Sequence, residues 1–225
     1  MANRHDFRHA ELKRRQRAMR EGFPPNFGLR IHRMISWIGR AEAEPYDPAA
    51  SFIFLWIAFN AAYSDGSDID GPPASERDRF RAFFRRALDC DPEHRLYRTA
   101  WRDGGQPIRA FIDNRYVFSP FWTHHHGLGC DDWEDRFRKA SALFEAALRD
   151  GETDLVLSFM FDRLYMLRNQ LIHGGATWDS SINRDQLRSG VDLLGALLPV
   201  VADLMMSCPS EGWGHPFFPV VDPSS

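Results

Sequence analysis

Ser158, Asp162, Tyr165, Asn169 and His173 follow one another at steps of four, three, four and four residues. On an α-helix those steps stack the five side chains in one polar stripe. Arg168 borders the stripe, three residues after Tyr165 and five before His173. An imidazole works as acid or base near neutral pH, and His173 supplies one. The Arg168 guanidinium offers a planar fork of donors to a phosphate or carboxylate. His173 lies about 140° around the helix from Arg168 and one and a half turns along it, a gap that a long Arg side chain bridges. Asn169, one turn before His173, can orient the imidazole or hold a substrate oxygen. Asp162 and Tyr165 read as supporting residues that tune Arg168 or His173. A structural arrangement also fits: His173 capping carbonyls at a helix end, with Arg168 paired to Asp162.

The element that must position these residues runs from Thr153 to Gly175. Thr153 is the expected N-cap, with Asp154 in the first turn and Gly174-Gly175 as the stop. Leu155, Val156, Leu157, Phe159, Met160, Leu164, Leu167, Leu171 and Ile172 leave almost no polar face, so the helix is expected at the centre of a bundle. A buried helix that keeps an Arg, an Asn and a His near its end bears a desolvation cost, which marks a candidate site. A second apolar helix follows Asp47-Pro48, with Asp at N-cap and Pro in the first turn. Asn60 is the one polar residue inside it. A buried Asn needs partners, expected on the central helix or in a second subunit, or as a bridge between two helices.

The remaining segments are also helical. Residues 2–21 form a polar, basic helix ended by Gly22-Phe-Pro-Pro25, and the folded domain begins near Asn26, a good N-cap. Amphipathic helices are expected over 75–89 and over 133–150, the latter with Phe137, Leu143, Phe144, Ala147 and Leu148 inward. Short helical pieces cover 92–102 and 107–114, whereas 116–132 reads as irregular and aromatic. The last long helix starts at Ser181 or Asn183 and contains Pro199, which should kink it. No alternating run has turn chemistry on both sides, so no strand is expected. The class is all-α, an irregular bundle of seven to nine helices. Its parts are a basic N-terminal arm (1–25), a helical domain (26–207) and a Pro/Gly-rich tail (208–225).

Charge is unevenly spread. The first 40 residues hold ten basic and three acidic residues, whereas residues 151–225 hold four basic and nine acidic. Such a basic segment can bind nucleic acid, or be neutralised by the acidic third within the fold or across a dimer. Three cysteines are too few and too scattered for a disulfide framework. The charged start is unlike a signal peptide, and the apolar runs Phe52–Phe59 and Leu193–Met206 are too short to span a bilayer. A cytoplasmic protein without membrane partners is expected. Thr123-His-His-His126 with Cys130, Asp131 and Asp132 raises the question of zinc, but adjacent histidines point apart and no Cys-x-x-Cys or His-x3-His spacing accompanies them. A polar loop near the cleft fits His124 to His126 at least as well. Gly66–Gly71 and Gly104-Gly105 lack the phosphate-loop spacing and any preceding strand. No cofactor and no metal are expected.

The spacing from Arg168 to His173 is not informative alone in a chain with 9 His and abundant Arg, and Arg4 to His9 repeats it. Its context is informative: it ends the most apolar helix, with Asn after the Arg and Gly-Gly after the His. RNQLIHGG there resembles the Arg-polar-x3-His motif of the HEPN superfamily, and SFIFLWIAFNAAYS resembles the preceding core helix of its Apea-like branch. The resemblance covers residues 28 to 206, strongest in those two helices. It implies an all-α homodimer whose interface joins two copies of the motif, with Arg168, Asn169 and His173 catalytic and Asp162, Tyr165 and Asn60 in support. It further implies a metal-independent endoribonuclease acting on RNA such as tRNA or mRNA, in toxin–antitoxin, anti-phage or RNA-processing systems, with an antitoxin or regulatory protein as partner. The family also contains catalytically inactive modules that bind RNA, a nucleotide or a partner protein. The chemistry gives an independent reason for a composite site: cleavage needs an acid and a base, one His173 supplies one proton carrier, and two copies supply both.

Overall fold

The structure, a computed structural model, describes residues 9–65, 75–101, 105–181 and 183–220. The start of the basic segment (with Arg4), the Gly/Asp/Ser/Pro loop at 66–74, residues 102–104, Ile182 and the end of the tail lie outside the described residues. The chain is all-α, with ten α-helices among the described residues. Nine correspond to the segments read as helical. The tenth lies in the stretch read as irregular. The backbone divides into two compact units, residues 1–74 with 194–225, and residues 75–193, and the division falls within the last helix.

In the first unit, α1 (His9–Met19), α2 (Pro25–Glu42) and α3 (Pro48–Tyr63) lead to the second half of α10 (Arg184–Ser207) and the tail. The helix of the basic segment packs on α2 rather than standing apart as an arm. Leu12 and Gln16 are buried there, and Arg15 pairs with Asp203 and donates to Ser207 at 2.8 Å. Part of the basic charge is therefore neutralised within the fold. The helix after the prolines starts at Pro25, and Pro24 rather than Asn26 holds the N-cap position. A proline already has the right φ and lacks the N–H that a cap would satisfy. Asp47 caps α3 as its sequence indicates, accepting from the amides of Ala49 and Ala50 at 3.0 and 2.9 Å. Ser51 ties the start of α3 to the end of α2 through the carbonyls of Ala41 and Glu44.

The tail returns along this unit. Trp213 is buried, its indole donating to the Cys208 carbonyl at 2.9 Å. Asp65 and Pro216 form an isolated antiparallel bridge. Gly214 sits there at φ +80°, and a Cβ at this position would collide with the Asp65 carboxylate, so both conformation and space require glycine.

In the second unit, α4 (Glu76–Asp89), α5 (Arg95–Ala100), α6 (Gln106–Ile112), α7 (Ser119–His125) and α8 (Trp133–Asp150) surround α9 (Thr153–Ile172). Helix α9 is the hub of this unit, touching α4, α5, α6, α8 and a 3₁₀ turn at Arg115–Val117. Its aromatic contacts are dense: Phe161 packs against Phe84 and Phe80 at 4.8 and 5.9 Å between centroids, and Phe159 meets Phe144 edge-on. Gly151, at φ +73°, ends α8. Thr153 lies inside α9 and Glu152 holds the cap position, the Thr153 hydroxyl bonding back to the Gly151 carbonyl. On α8, Phe144, Ala147 and Leu148 are buried as expected, but Leu143 is 59% exposed. Helix α10 is longer than its apolar core suggests. At 24 residues it has the length and apolarity to cross a membrane, but 72% of its most apolar window is buried inside the protein, as in a core helix.

Candidate functional site

The last turn of α9 emerges from its neighbours. Residues Val156 to Phe161, Leu164 and Leu167 are buried, but Asn169, Gln170 and Leu171 are half-buried and Ile172 and His173 are exposed. The end of the helix therefore does not bear the burial cost that its apolar sequence suggests. Apolar spacing reports which residues seek a core, and cannot report where the surrounding helices stop.

The polar stripe divides into parts with different roles. Ser158 is fully buried and donates to the Leu155 carbonyl at 2.7 Å, a local bond that satisfies the hydroxyl. Asp162 is half-buried. Its carboxyl is pushed up by burial, an effect opposed by the cations of Arg163 and Arg77. It faces those two arginines and makes no ion pair with Arg168. Tyr165 packs edge-to-face on Phe80 at 6.4 Å. Support from Asp162 and Tyr165 is thus directed at Arg163, Arg77 and the α4 aromatics.

Arg168, Asn169 and His173 do share one helix end. Nη1 of Arg168 donates to Oδ1 of Asn169 at 2.9 Å, and no carboxylate pairs with this guanidinium among the described residues. Its Nε is buried without a partner. Because the partner is a neutral carboxamide, Arg168 keeps its charge uncompensated. His173 is the C-cap residue, its amide bonding to the carbonyls of Asn169 and Leu171. Its imidazole is exposed and has no hydrogen-bond or ring partner among the described residues. Gly174 follows at φ +70° and Gly175 donates to the Gln170 carbonyl at 2.7 Å, closing the helix as the Gly-Gly pair indicates. The purely structural arrangement, with Arg168 on Asp162 and the imidazole capping carbonyls, is not what is found.

Two features were not legible in sequence. First, residues 116–132 are ordered around α7 and joined to this helix end. The Tyr116 carbonyl accepts from the side chain of Gln170 on α9 and from the Trp122 indole at 2.7 Å. Phe121 stacks on His125 at 5.6 Å and meets Trp133 edge-on, and Arg115 lies over the Tyr116 ring at 5.5 Å. Second, Arg163 is 1% exposed, and none of its three guanidinium nitrogens has a hydrogen-bond partner among the described residues. It lies 4.3 Å over the Phe118 ring and 5.7 Å from that of Phe137. Burial, chiefly, lowers its pKa to about 10. The sequence signal for Arg163 was only its place inside an apolar run; the rings that receive it come from distant segments.

Asn60 belongs to the first unit. Its carboxamide has no hydrogen-bond partner among the described residues, so it bridges no pair of helices, and it lines a cavity described below. No group of three or more His, Cys, Asp or Glu side chains is placed to hold a metal among the described residues. His124 pairs with Asp131 at 3.1 Å, and His124, His125 and His126 are exposed. Cys90, Cys130 and Cys208 are free. Compared with protein-family models, curated proteins and solved structures, the chain finds no significant match.

Proposed function

We propose that the chain is a metal-independent endoribonuclease of the HEPN type, acting as a homodimer in which Arg168, Asn169 and His173 of both copies form one composite site. The observation that carries this reading is the last turn of α9. It carries an exposed imidazole without a partner and, five residues earlier on the same helix end, a guanidinium that no carboxylate neutralises among the described residues. Keeping an uncompensated cation and a free acid–base group on one helix end has no packing benefit and suits a phosphodiester substrate. One imidazole takes the ribose 2′-hydroxyl proton as that oxygen bonds to phosphorus, the other protonates the 5′-oxygen as its bond to phosphorus breaks, and the Arg168 forks hold the charge that builds on the non-bridging phosphoryl oxygens. The surface joined to this helix end supports an RNA substrate. Tyr116, Phe121, Trp122 and Arg115 supply ring faces and a cation of the kind on which single-stranded bases stack. A role as a toxin or anti-phage effector, held in check by an antitoxin or regulatory protein, fits such an activity.

The test is incubation of the purified protein with total tRNA and mRNA in EDTA, alongside His173→Ala and Arg168→Ala. Discrete cleavage is expected for the native protein, with a loss of about 10²- to 10⁴-fold in His173→Ala. Light scattering should give a dimer. Equal cleavage by the native protein and His173→Ala would remove His173 from the reaction.

A further inference from the structure

The first unit holds a partly open cavity of about 340 Å³, within the size range of small-molecule sites. It is formed between α2 and α3 and walled by the returning tail. Trp37, Phe217 and Phe218 supply aromatic surface, and Arg30, Arg33 and Asn60 supply polar groups. No carboxylate lines it among the described residues. Two polar groups on its wall have donors to offer a ligand. The Asn60 carboxamide has no protein partner among the described residues. Arg33 uses Nη1 on the Phe218 carbonyl at 2.6 Å, leaving its remaining donors uncommitted. Both are half-buried, and a ligand that accepts from them gains hydrogen bonds without breaking any within the fold.

The charge balance limits the ligand. Both terminal nitrogens of Arg30 are already spent on backbone carbonyls: Nη1 on Ala61, Ala62 and Ser64, Nη2 on His215. The nearby Asp65 carboxylate offsets the charge of Arg30, so one guanidinium, that of Arg33, remains for the ligand, which matches a single negative charge. The rest of the wall is apolar and aromatic, which matches a ring. We propose that this cavity binds a small planar aromatic carboxylate. Its carboxylate sits on Arg33, Asn60 hydrogen-bonds its edge, and its ring lies against Trp37 and Phe217. This site is separate from the α9 residues and stands whether or not the chain cleaves RNA.

Isothermal titration calorimetry on the full chain tests the assignment, with benzoate, indole-3-acetate and 2-naphthoate as probes. Neutral 2-naphthamide and adenosine 5′-monophosphate serve as comparisons. One-to-one binding of a carboxylate is expected, with 2-naphthamide weaker by about tenfold or more, the effect of losing a charge-assisted hydrogen bond. Arg33→Gln should weaken the carboxylate by about tenfold or more and Asn60→Leu by about threefold to tenfold, with unchanged circular dichroism. Three results would overturn the proposal: no carboxylate binding at millimolar concentration, carboxylate binding no tighter than that of the amide, or binding indifferent to Arg33→Gln. Tighter binding of the nucleotide would overturn it in favour of a phosphate-bearing ligand.

Discussion

Each unit buries one arginine almost completely, and the two are held in opposite ways. Arg30, on α2, donates to the carbonyls of Ala61, Ala62, Ser64 and His215 at 2.7–3.2 Å. It closes the C-terminus of α3, where unpaired carbonyls and the helix dipole both favour a cation, and ties the returning tail to that point. Arg163, on α9, has no hydrogen bond at any guanidinium nitrogen among the described residues and lies over the Phe118 ring, with Phe137 beside it. Burial lowers the pKa of both, but nearby charge acts differently. Asp65 opposes the shift at Arg30, whereas at Arg163 the attraction of Asp162 and Asp113 is countered by Arg77. The same side chain at the same depth is a joint in one unit and a strained component of the hub helix in the other. Burial alone does not show whether a charge stabilises a fold; its partners do.

The largest effect that would test this contrast is at Arg30. Arg30→Met leaves four carbonyls without their donor and should cost about 3–5 kcal/mol, which lowers the melting temperature by roughly 10 °C in a chain of this size. Arg30→Lys should recover little, because an ammonium cannot span the same carbonyls. A melting temperature unchanged by Arg30→Met would break the contrast.

A smaller effect is expected at Asp154, the paired counterpart of Asp162 on the same helix. Burial acts to raise the Asp154 carboxyl, but the Arg81 and Arg85 guanidinia, 2.7 and 2.9 Å away, hold it below its ordinary value. Its contribution to stability is therefore present above the unfolded value of 3.8 and is lost as pH falls through the lower folded value. Asp154→Asn should cost about 1–2 kcal/mol at pH 7, with the difference from the native protein closing in acid. Asp162 has the opposite sign. Its folded value is raised, so its favourable contribution is complete below 3.8 and is lost as pH rises through the folded value. Asp162→Asn should leave stability at pH 7 equal or slightly higher. Melting curves of both variants across acid pH separate the two signs, and parallel curves would refute them.

The smallest change is expected at Arg163 itself. Replacing a buried, unsatisfied cation by an apolar side chain of similar length offsets the lost ring contacts, so Arg163→Met should melt within about 2 °C of the native protein or above it. A loss as large as that of Arg30→Met would refute the contrast between the two arginines.

Much of the fold was legible because its signals are local. Asp47-Pro48 and Gly174-Gly175 mark helix ends through φ preferences and cap chemistry that depend on a few neighbouring residues. The apolar runs of α3 and α9 mark core helices for the same reason. Helix α7 was missed because its sequence, Ser119–His125, lacks a long apolar period; its place depends on Tyr116, Gln170 and Trp133, far apart in the chain.

The candidate site divides along the same line. The sequence by itself determined that Arg168, Asn169 and His173 occupy one helix end, because helical spacing and a Gly-Gly stop suffice for that. Only the tertiary structure decided that this end emerges into solvent, that Asp162 faces Arg163 rather than Arg168, and that Asn60 opens on a cavity. Those outcomes depend on where neighbouring helices end and which distant rings and carbonyls arrive, and burial and pairing are properties of the packed assembly rather than of any segment.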